Sequence, residues 1–485
     1  MNTAAVLVDE ECHRRDIVLR TQNDQLKRIC ETHRSYDALQ YPLIYCRGED
    51  GYNFELYQVN PETKEPNLNK KLSAQQFYAY ILQIRHNQFI YLHRFRGLFS
   101  QFIVDMYAKI ETERLVYINT NQRRLRAEEY VHLRDAMHED GDSDNLGRLV
   151  ILPSSFTGGP RYMHERTQDA FCYVRNYGRP DLFITFTTNR KWKEITDELL
   201  PGQRPYDRPD VIARIIHLKL KLLINLLTKE HVFGSALCFM YSVEWQKRGL
   251  PHAHILLWLQ EKIRPNDIDV LISAEFPNPD EDPVLYTIVK THMVHGPCGI
   301  MNRNSPCMRD GRCTKRYPRA LTEQTVTGEN GYPLYRRRSS EQGGFTAEIG
   351  PQQITVNNNW VVPYSPLLSK IFNAHINVEM CNSVEAIKYI CKYVNKGSDQ
   401  ASFALQDRNE VTRYQTGRYI STSEAIWRIL RFNYSLFMNV IPQYAFERSF
   451  GKRAGDILQP RKCKRPRRQS TANDPSSIFH VMSRR

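Results

Sequence analysis

The spacing of apolar and polar positions changes several times along the chain and divides it into regions of different texture. From Gln76 to about Ala136 apolar residues recur every three or four positions between charged ones, which predicts two or three amphipathic helices. His138 to Gly147 (HEDGDSDNLG) is acidic and contains glycine, and predicts a loop. The period then shortens to two. Pro180 to Asn189 (PDLFITFTTN) and Ser235 to Gln246 (SALCFMYSVEWQ) read as strands on either side of a helical run, Asp210 to Glu230; Gly249 to Leu259 (GLPHAHILLWL) reads as a further strand. Helical spacing returns at Ser383 to Tyr393 and at Ser421 to Met438.

The order strand, helix, strand, strand predicts an α+β fold built on an antiparallel sheet. The expected organisation is a mostly helical N-terminal region at 1–150, a main domain at 151–445 with a Cys/His-rich insertion at 287–320, and a basic, disordered tail at 446–485. Between Gly451 and Arg468 that tail sets Lys452, Arg453, Arg461, Lys462, Lys464, Arg465, Arg467 and Arg468 against Asp456 alone, a pattern suited to a nuclear address or a nucleic-acid contact.

Composition narrows the function classes. With 41% hydrophobic and 11% aromatic residues, a 485-residue chain has the material for more than one sizeable core and is not a disordered protein. No apolar run approaches the roughly 18 to 20 residues of a membrane span, and no apolar segment follows a basic start at the N-terminus. Eleven scattered cysteines read as reduced thiols or metal ligands in an intracellular setting rather than as a disulfide framework. The formal net charge of +14 calls for a polyanionic partner, and nucleic acid is expected rather than a membrane surface.

Two motifs carry chemistry. On a strand, residues two apart share a face, so His252 and His254 project together. The KRGLP turn before them allows Tyr241 to Gln246 to pair back as a hairpin arm, which could set a carboxylate, Glu244, opposite the imidazoles, with Gln246 as the alternative. Two neutral imidazoles and one carboxylate suit a divalent ion, Mg²⁺ or Mn²⁺, with positions open to substrate oxygens. In VEAIKYICKYVNKG, Tyr389 and Tyr393 lie four apart on one helix face, beside a row of Lys388, Lys392 and Lys396 suited to holding phosphates. Near a divalent ion a tyrosine can attack a phosphodiester and hold the 5′ end as an ester that a 3′-hydroxyl later reverses, without ATP. Either motif alone is more often core packing; together, in this order, they form a constellation.

The HAH triplet fits the HUH pattern of rolling-circle endonucleases, and the two-tyrosine helix brings the chain closest to the Rep-like nuclease region of Helitron transposon proteins. LPSSFTGGPRYMHERTQDAF, GRPDLFITFTTNRKW, VEWQKRGLPHAHILLWL, HMVHGPCG, INVEMCNSVEAIKYICKYVNKG and YISTSEAIWRIL resemble that family in the same order, over about Leu43 to Leu430. The resemblance implies an HUH nuclease core that nicks and transfers single-stranded DNA in rolling-circle transposition. In it, His252 and His254 hold the metal and Tyr389 and Tyr393 are the paired nucleophiles; Glu244 as third ligand comes from hairpin geometry and analogy.

A third cluster, HMVHGPCGIMNRNSPCMRDGRC, sets imidazoles and thiols at short spacings between turn residues. His295, Cys298, Cys307 and Cys313, with His292 as substitute, are the candidate ligands of a structural Zn²⁺. The surrounding Arg312, Lys315 and Arg316 are candidate DNA-phosphate contacts. Farther on, the tyrosines of GYPLYRRR, Gly331 to Arg338, are candidates to stack on unpaired bases.

No GxxxxGK[ST] string occurs, and NKGSD and FGKRAG lack its arrangement. Unwinding is therefore expected from another protein, if it is needed at all. The competing function is a catalytically inactive, transposon-derived DNA-binding protein.

Overall fold

The computed structural model describes residues 15–20, 22–85, 90–122, 124–125, 150–245, 249–264, 267–296, 298–299, 301–328, 333–350, 352–381, 410–415, 419–433 and 435–440. Its centre is a five-stranded antiparallel sheet of β1 (Leu182–Thr187), β2 (Ala236–Trp245), β3 (Pro251–Leu259), β4 (Ile376–Met380) and β5 (Ser435–Asn439), in the order β4-β1-β3-β2-β5. The mixed helix and sheet architecture agrees with the α+β expectation.

Alternation decides which side chains face which layer. Leu182, Ile184 and Phe186 of β1, Phe239, Tyr241 and Val243 of β2, and Ala253, Ile255, Leu257 and Leu259 of β3 all enter the main core. That face is covered by helices α1 (Ala74–Ile81), α2 (Gly97–Thr120), α4 (Pro209–Thr228) and α6 (Thr422–Ile429), whose apolar residues belong to the same core. Helix α1 starts where Ser73 and Gln76 form a reciprocal capping box. Proline in the first turn of α4 costs no intrahelical bond. On the opposite face the apolar half, Cys238, Met240, Leu256 and Trp258, packs on α3 (Pro160–Tyr177) through Ala170, Tyr173, Val174 and Tyr177. With both faces covered at this level, HILLWL reads as an unbroken apolar run rather than an alternating one.

A second core lies between β3 and β4 in the chain. Phe276, Leu285, Val289, Met293, Cys298, Ala347, Val356, Trp360, Val361 and Tyr364 pack together, with α5 (Pro283–His292) among their sources. Ser273 bridges Tyr364 and Val294 bridges Val361, so the two ends of this unit are pinned to each other. The Cys/His-rich stretch expected at 287–320 is thus one part of a larger insertion with its own core.

Three differences from the sequence expectations have physical reasons. The N-terminal region contains two hairpins, Ile17–Arg20 with Leu26–Ile29 and Tyr57–Val59 with Pro66–Lys71, because short polar strands show little hydrophobic period. Helices α1 and α2 share the core of the sheet, so that core extends across residue 150. The helix expected over Ser421 to Met438 ends at Ile429, and Ser435–Asn439 instead pairs with β2 as an edge strand. A short apolar run such as SLFMN suits either state, and the open sheet edge decides. The tail from 446 and the segment Ser383 to Tyr393 lie outside the described residues.

The N-terminal helices are locked by a buried polar triad. Lys109 Nζ donates to Asp37 Oδ1 (2.8 Å) and to the Tyr78 hydroxyl (2.7 Å), which itself donates to Asp37 Oδ2 (2.7 Å). Lys109 is 2% exposed and Asp37 and Tyr78 fully buried. Lys109→Met strands the Asp37 charge, so unfolding in urea should show a loss of about 3–5 kcal/mol. Adding Asp37→Asn should restore part of it; a Lys109→Met protein as stable as the parent would remove the triad from the account.

On α4, His217 stacks on Phe432 (4.0 Å, 6°) and meets the edge of Trp427 (5.6 Å). Burial, followed by the Lys221 charge, pushes its pKa down to about 4. The unfolded chain takes up this proton near pH 6.5 while the folded chain resists to about pH 4, so stability is full above that range and falls as pH drops through it. His217→Phe should flatten that part of the stability profile measured by thermal melting.

Candidate active site and candidate metal centre

The β2–β3 hairpin sets the first site by its register. Glu244 lies opposite His252 and Ser242 opposite His254; on the other flank Thr187 lies opposite His252 and Thr185 opposite His254. Directly opposed residues share a face. The register therefore answers what the turn left open and puts Glu244 with the histidines; Gln246 lies outside the described residues.

The imidazoles are held from behind. His252 is 5% exposed, its Nδ1 is 2.9 Å from Thr187 Oγ1, and its Nε2 is buried with no partner among the described residues. His254 Nδ1 is 3.3 Å from Thr185 Oγ1, its Nε2 is 3.3 Å from Glu244 Oε2, and its ring lies parallel to Phe183 at 5.8 Å. In the tautomer whose Nδ1–H donates to the threonine hydroxyl, each Nε2 keeps a lone pair for a ligand. Burial, then the neighbouring His254 and His375, lower the His252 pKa to about 3 against the pull of Glu244. At neutral pH that ring is therefore neutral, which is the ligating form. Two imidazole nitrogens and a carboxylate oxygen on one face, with an orphaned Nε2 among them, are the donor types a divalent cation takes, although the three are not drawn together as His295, Cys298, Cys307 and Cys313 are.

Residues the sequence did not single out complete this face. The His375 carbonyl accepts from the Thr187 N–H (3.0 Å), and Asn377 pairs with Thr185. Two rows result across the sheet: His375, Thr187, His252 and Glu244, then Asn377, Thr185, His254 and Ser242. The threonines had a sequence signal, since FITFT repeats at the same period of two as HAH. His375 and Asn377 had none, because β4 returns to the sheet only after the whole insertion.

The second site is the Cys/His cluster. The ligand atoms of His295, Cys298, Cys307 and Cys313 all lie within 4.8 Å of one another, so this group could bind a metal ion such as zinc. Among the described residues this is the one group of His, Cys, Asp or Glu drawn so close. His292 is not in it. Gly296 supplies a φ of +105°, and a side chain there would press on the Cys298 amide and the Trp360 ring, which keeps His295 and Cys298 close together. Asp310 and Gly311, both at positive φ, turn a two-residue hairpin that pairs Met308 with Cys313 and brings Cys307 alongside.

The thiols differ in acidity. Burial, aided by Cys307 and Cys313, pushes the Cys298 thiol up to about 12. At Cys313 burial is outweighed by hydrogen bonds from the Tyr317 and Lys315 backbone and from its cysteine neighbours, and the net shift is downward. A cation in the cluster would favour thiolate at all three. All eight cysteines among the described residues are free.

Arg312, Lys315 and Arg316 are exposed around the cluster, as a phosphate contact requires. Tyr335, a candidate for base stacking, is instead 4% exposed and its hydroxyl accepts the Met380 N–H (2.8 Å), because it ties the insertion to β4. Tyr389, Tyr393, Lys388, Lys392 and Lys396 lie outside the described residues. No described helix is long and apolar enough to cross a membrane.

Residues 77–257 match the family described as the Helitron helicase-like domain at N-terminus. The match supports a Helitron-related protein. It runs from α1 into β3, so it takes in Glu244, both histidines and the threonines behind them, and ends before the insertion. No curated protein matches the chain.

Metal analysis of the purified chain should find about one zinc per molecule, falling to near zero in Cys307→Ser and Cys313→Ser. Removal by a chelator should lower the melting temperature; a zinc-free parent with an unchanged melt would make the cluster a set of packed thiols.

Proposed function

We propose that the chain is a metal-dependent single-strand DNA endonuclease and strand transferase of rolling-circle transposition, with an HUH nuclease core. The observation that carries this reading is the register placing His252, His254 and Glu244 on one sheet face with threonine hydroxyls behind both rings. The match at 77–257 supports it.

The residues of this chain then divide the work. His252, His254 and Glu244 hold Mg²⁺ or Mn²⁺, which when bound supplies positive charge to the phosphate oxygens. Thr185 and Thr187 fix ring orientation and tautomer. Tyr389 or Tyr393 attacks phosphorus: the Tyr Oη–P bond forms, the P–O3′ bond breaks, the phenol proton passes to solvent, and the departing 3′ oxygen takes a proton to become a hydroxyl. The second tyrosine serves strand transfer. Lys388, Lys392, Lys396, Arg312, Lys315 and Arg316 hold phosphates, a zinc-stapled insertion presents the last three, and the protein works in the nucleus on strands exposed by a separate helicase or already unpaired.

Incubated with labelled single-stranded DNA and Mn²⁺, the parent should give a covalent protein–DNA band on a denaturing gel. His252→Ala should abolish it, Tyr389→Phe or Tyr393→Phe should remove it singly or together, and Thr187→Val should weaken it by roughly ten-fold or more, the usual scale for residues behind a metal ligand. DNA binding without any band across varied sequences would leave an inactive, transposon-derived DNA-binding protein.

A further inference from the structure

Between the insertion and the β4 edge of the sheet lies a cleft of about 230 Å³, lined among others by Arg316, Tyr317, Arg319, Pro363 and Glu379. One wall is fastened to the metal cluster: the Tyr317 ring stacks on His295 (4.2 Å, 18°), and the Arg319 guanidinium lies 5.2 Å from the Tyr317 centroid. The other wall is β4. Glu379 follows Asn377 and His375 at intervals of two and so projects from the same sheet face as the histidine site.

The polar groups of this cleft are incompletely matched. Asn377 Nδ2 donates to Glu379 Oε1 (3.0 Å), which turns Asn377 Oδ1 into a buried position with no donor among the described residues. No ion pair joins Glu379 to any described cation, although Arg316, Arg319 and Arg337 line the same cleft; Arg337 is held instead by the carbonyls of Ala274, Asn358 and Val361. The Glu379 carboxylate, with the orphaned Asn377 amide oxygen next to the cleft, thus has room for further hydrogen-bond donors, beside the exposed Arg316 in a loop that also carries Arg309, Arg312 and Lys315.

We infer that this cleft binds one unpaired guanine of the DNA strand engaged at the histidine site. An unpaired base exposes its whole Watson–Crick edge and is read by stacking together with edge hydrogen bonds. The Glu379 carboxylate takes two adjacent donors, and guanine offers N1–H and the N2 amino group side by side; the arginines answer its O6 and N7. Adenine and cytosine present a single amino group flanked by acceptors, and thymine a single N–H. Glu379 lies opposite Phe183, which lies opposite Leu256, four residues along β3 from His252. At ordinary strand spacings this sets the pocket roughly 12 to 20 Å from the three candidate metal ligands, a few nucleotides along the strand.

The inference rests on the proposed strand-binding function, and the test separates the two. Binding of the full chain, without added divalent ion, is measured by fluorescence anisotropy to labelled oligo-dT and to the same oligomer with a single dG at successive positions. One dG position should tighten binding about ten-fold. Inosine at that position, lacking the N2 amino group, should give an intermediate gain. Glu379→Gln, which replaces one acceptor by a donor, should erase the gain while leaving oligo-dT affinity and the thermal melt unchanged; Arg319→Ala should reduce it. Oligo-dT binding with no dG preference, or a preference that survives in Glu379→Gln, overturns the pocket and leaves the nuclease reading standing. Failure to bind any oligomer overturns both.

Discussion

The candidate active site depends on one constraint, the pairing register of β1, β3 and β2. Side chains on a strand alternate with a period of two, so a slip of one residue in either pairing would send His252, His254, Thr185, Thr187 or Glu244 into the apolar core. The register is strongly specified because the opposite face of these strands is buried from end to end. Ile184, Phe186, Tyr241, Val243, Ala253 and Ile255 pack in one core with the apolar residues of the covering helices. The core thus fixes the chemistry of the face it does not contain.

The polar face is organised at two distances. Glu244 and the imidazoles stand on one face of the sheet, and the threonines lie against the Nδ1 nitrogens, which point away from the candidate cation position. Such an arrangement holds the ring orientations in place, which would limit the rearrangement needed if an ion binds. The orphaned, neutral His252 Nε2 is the cost of that preparation.

The insertion solves a different problem. Its apolar core is small, and its Cys/His stretch is rich in turns and cations, with little hydrophobic area to hold it. Cross-linking His295, Cys298, Cys307 and Cys313 through one ion would replace the missing core and keep a cluster of positive charge at the sheet edge. The Tyr317 stack on His295 carries that rigidity outward to the cleft beside β4.

Much of this was legible in the residues themselves. Period-two alternation located β1, β2 and β3, the i, i+2 spacing put His252 and His254 on one face, and turn residues at short Cys and His spacings marked the four cluster members. These are local properties, encoded within a few positions of each other. What tertiary structure decided was everything that depends on distant pairing: that Glu244 faces the histidines, that the FITFT threonines support them, that SLFMN leaves a helical pattern for an edge strand, and that His375, Asn377 and Glu379 come to the same face from beyond the insertion. A sequence records the period of a strand but not its neighbour, because which edges meet is set by the burial of many side chains at once rather than by any few of them.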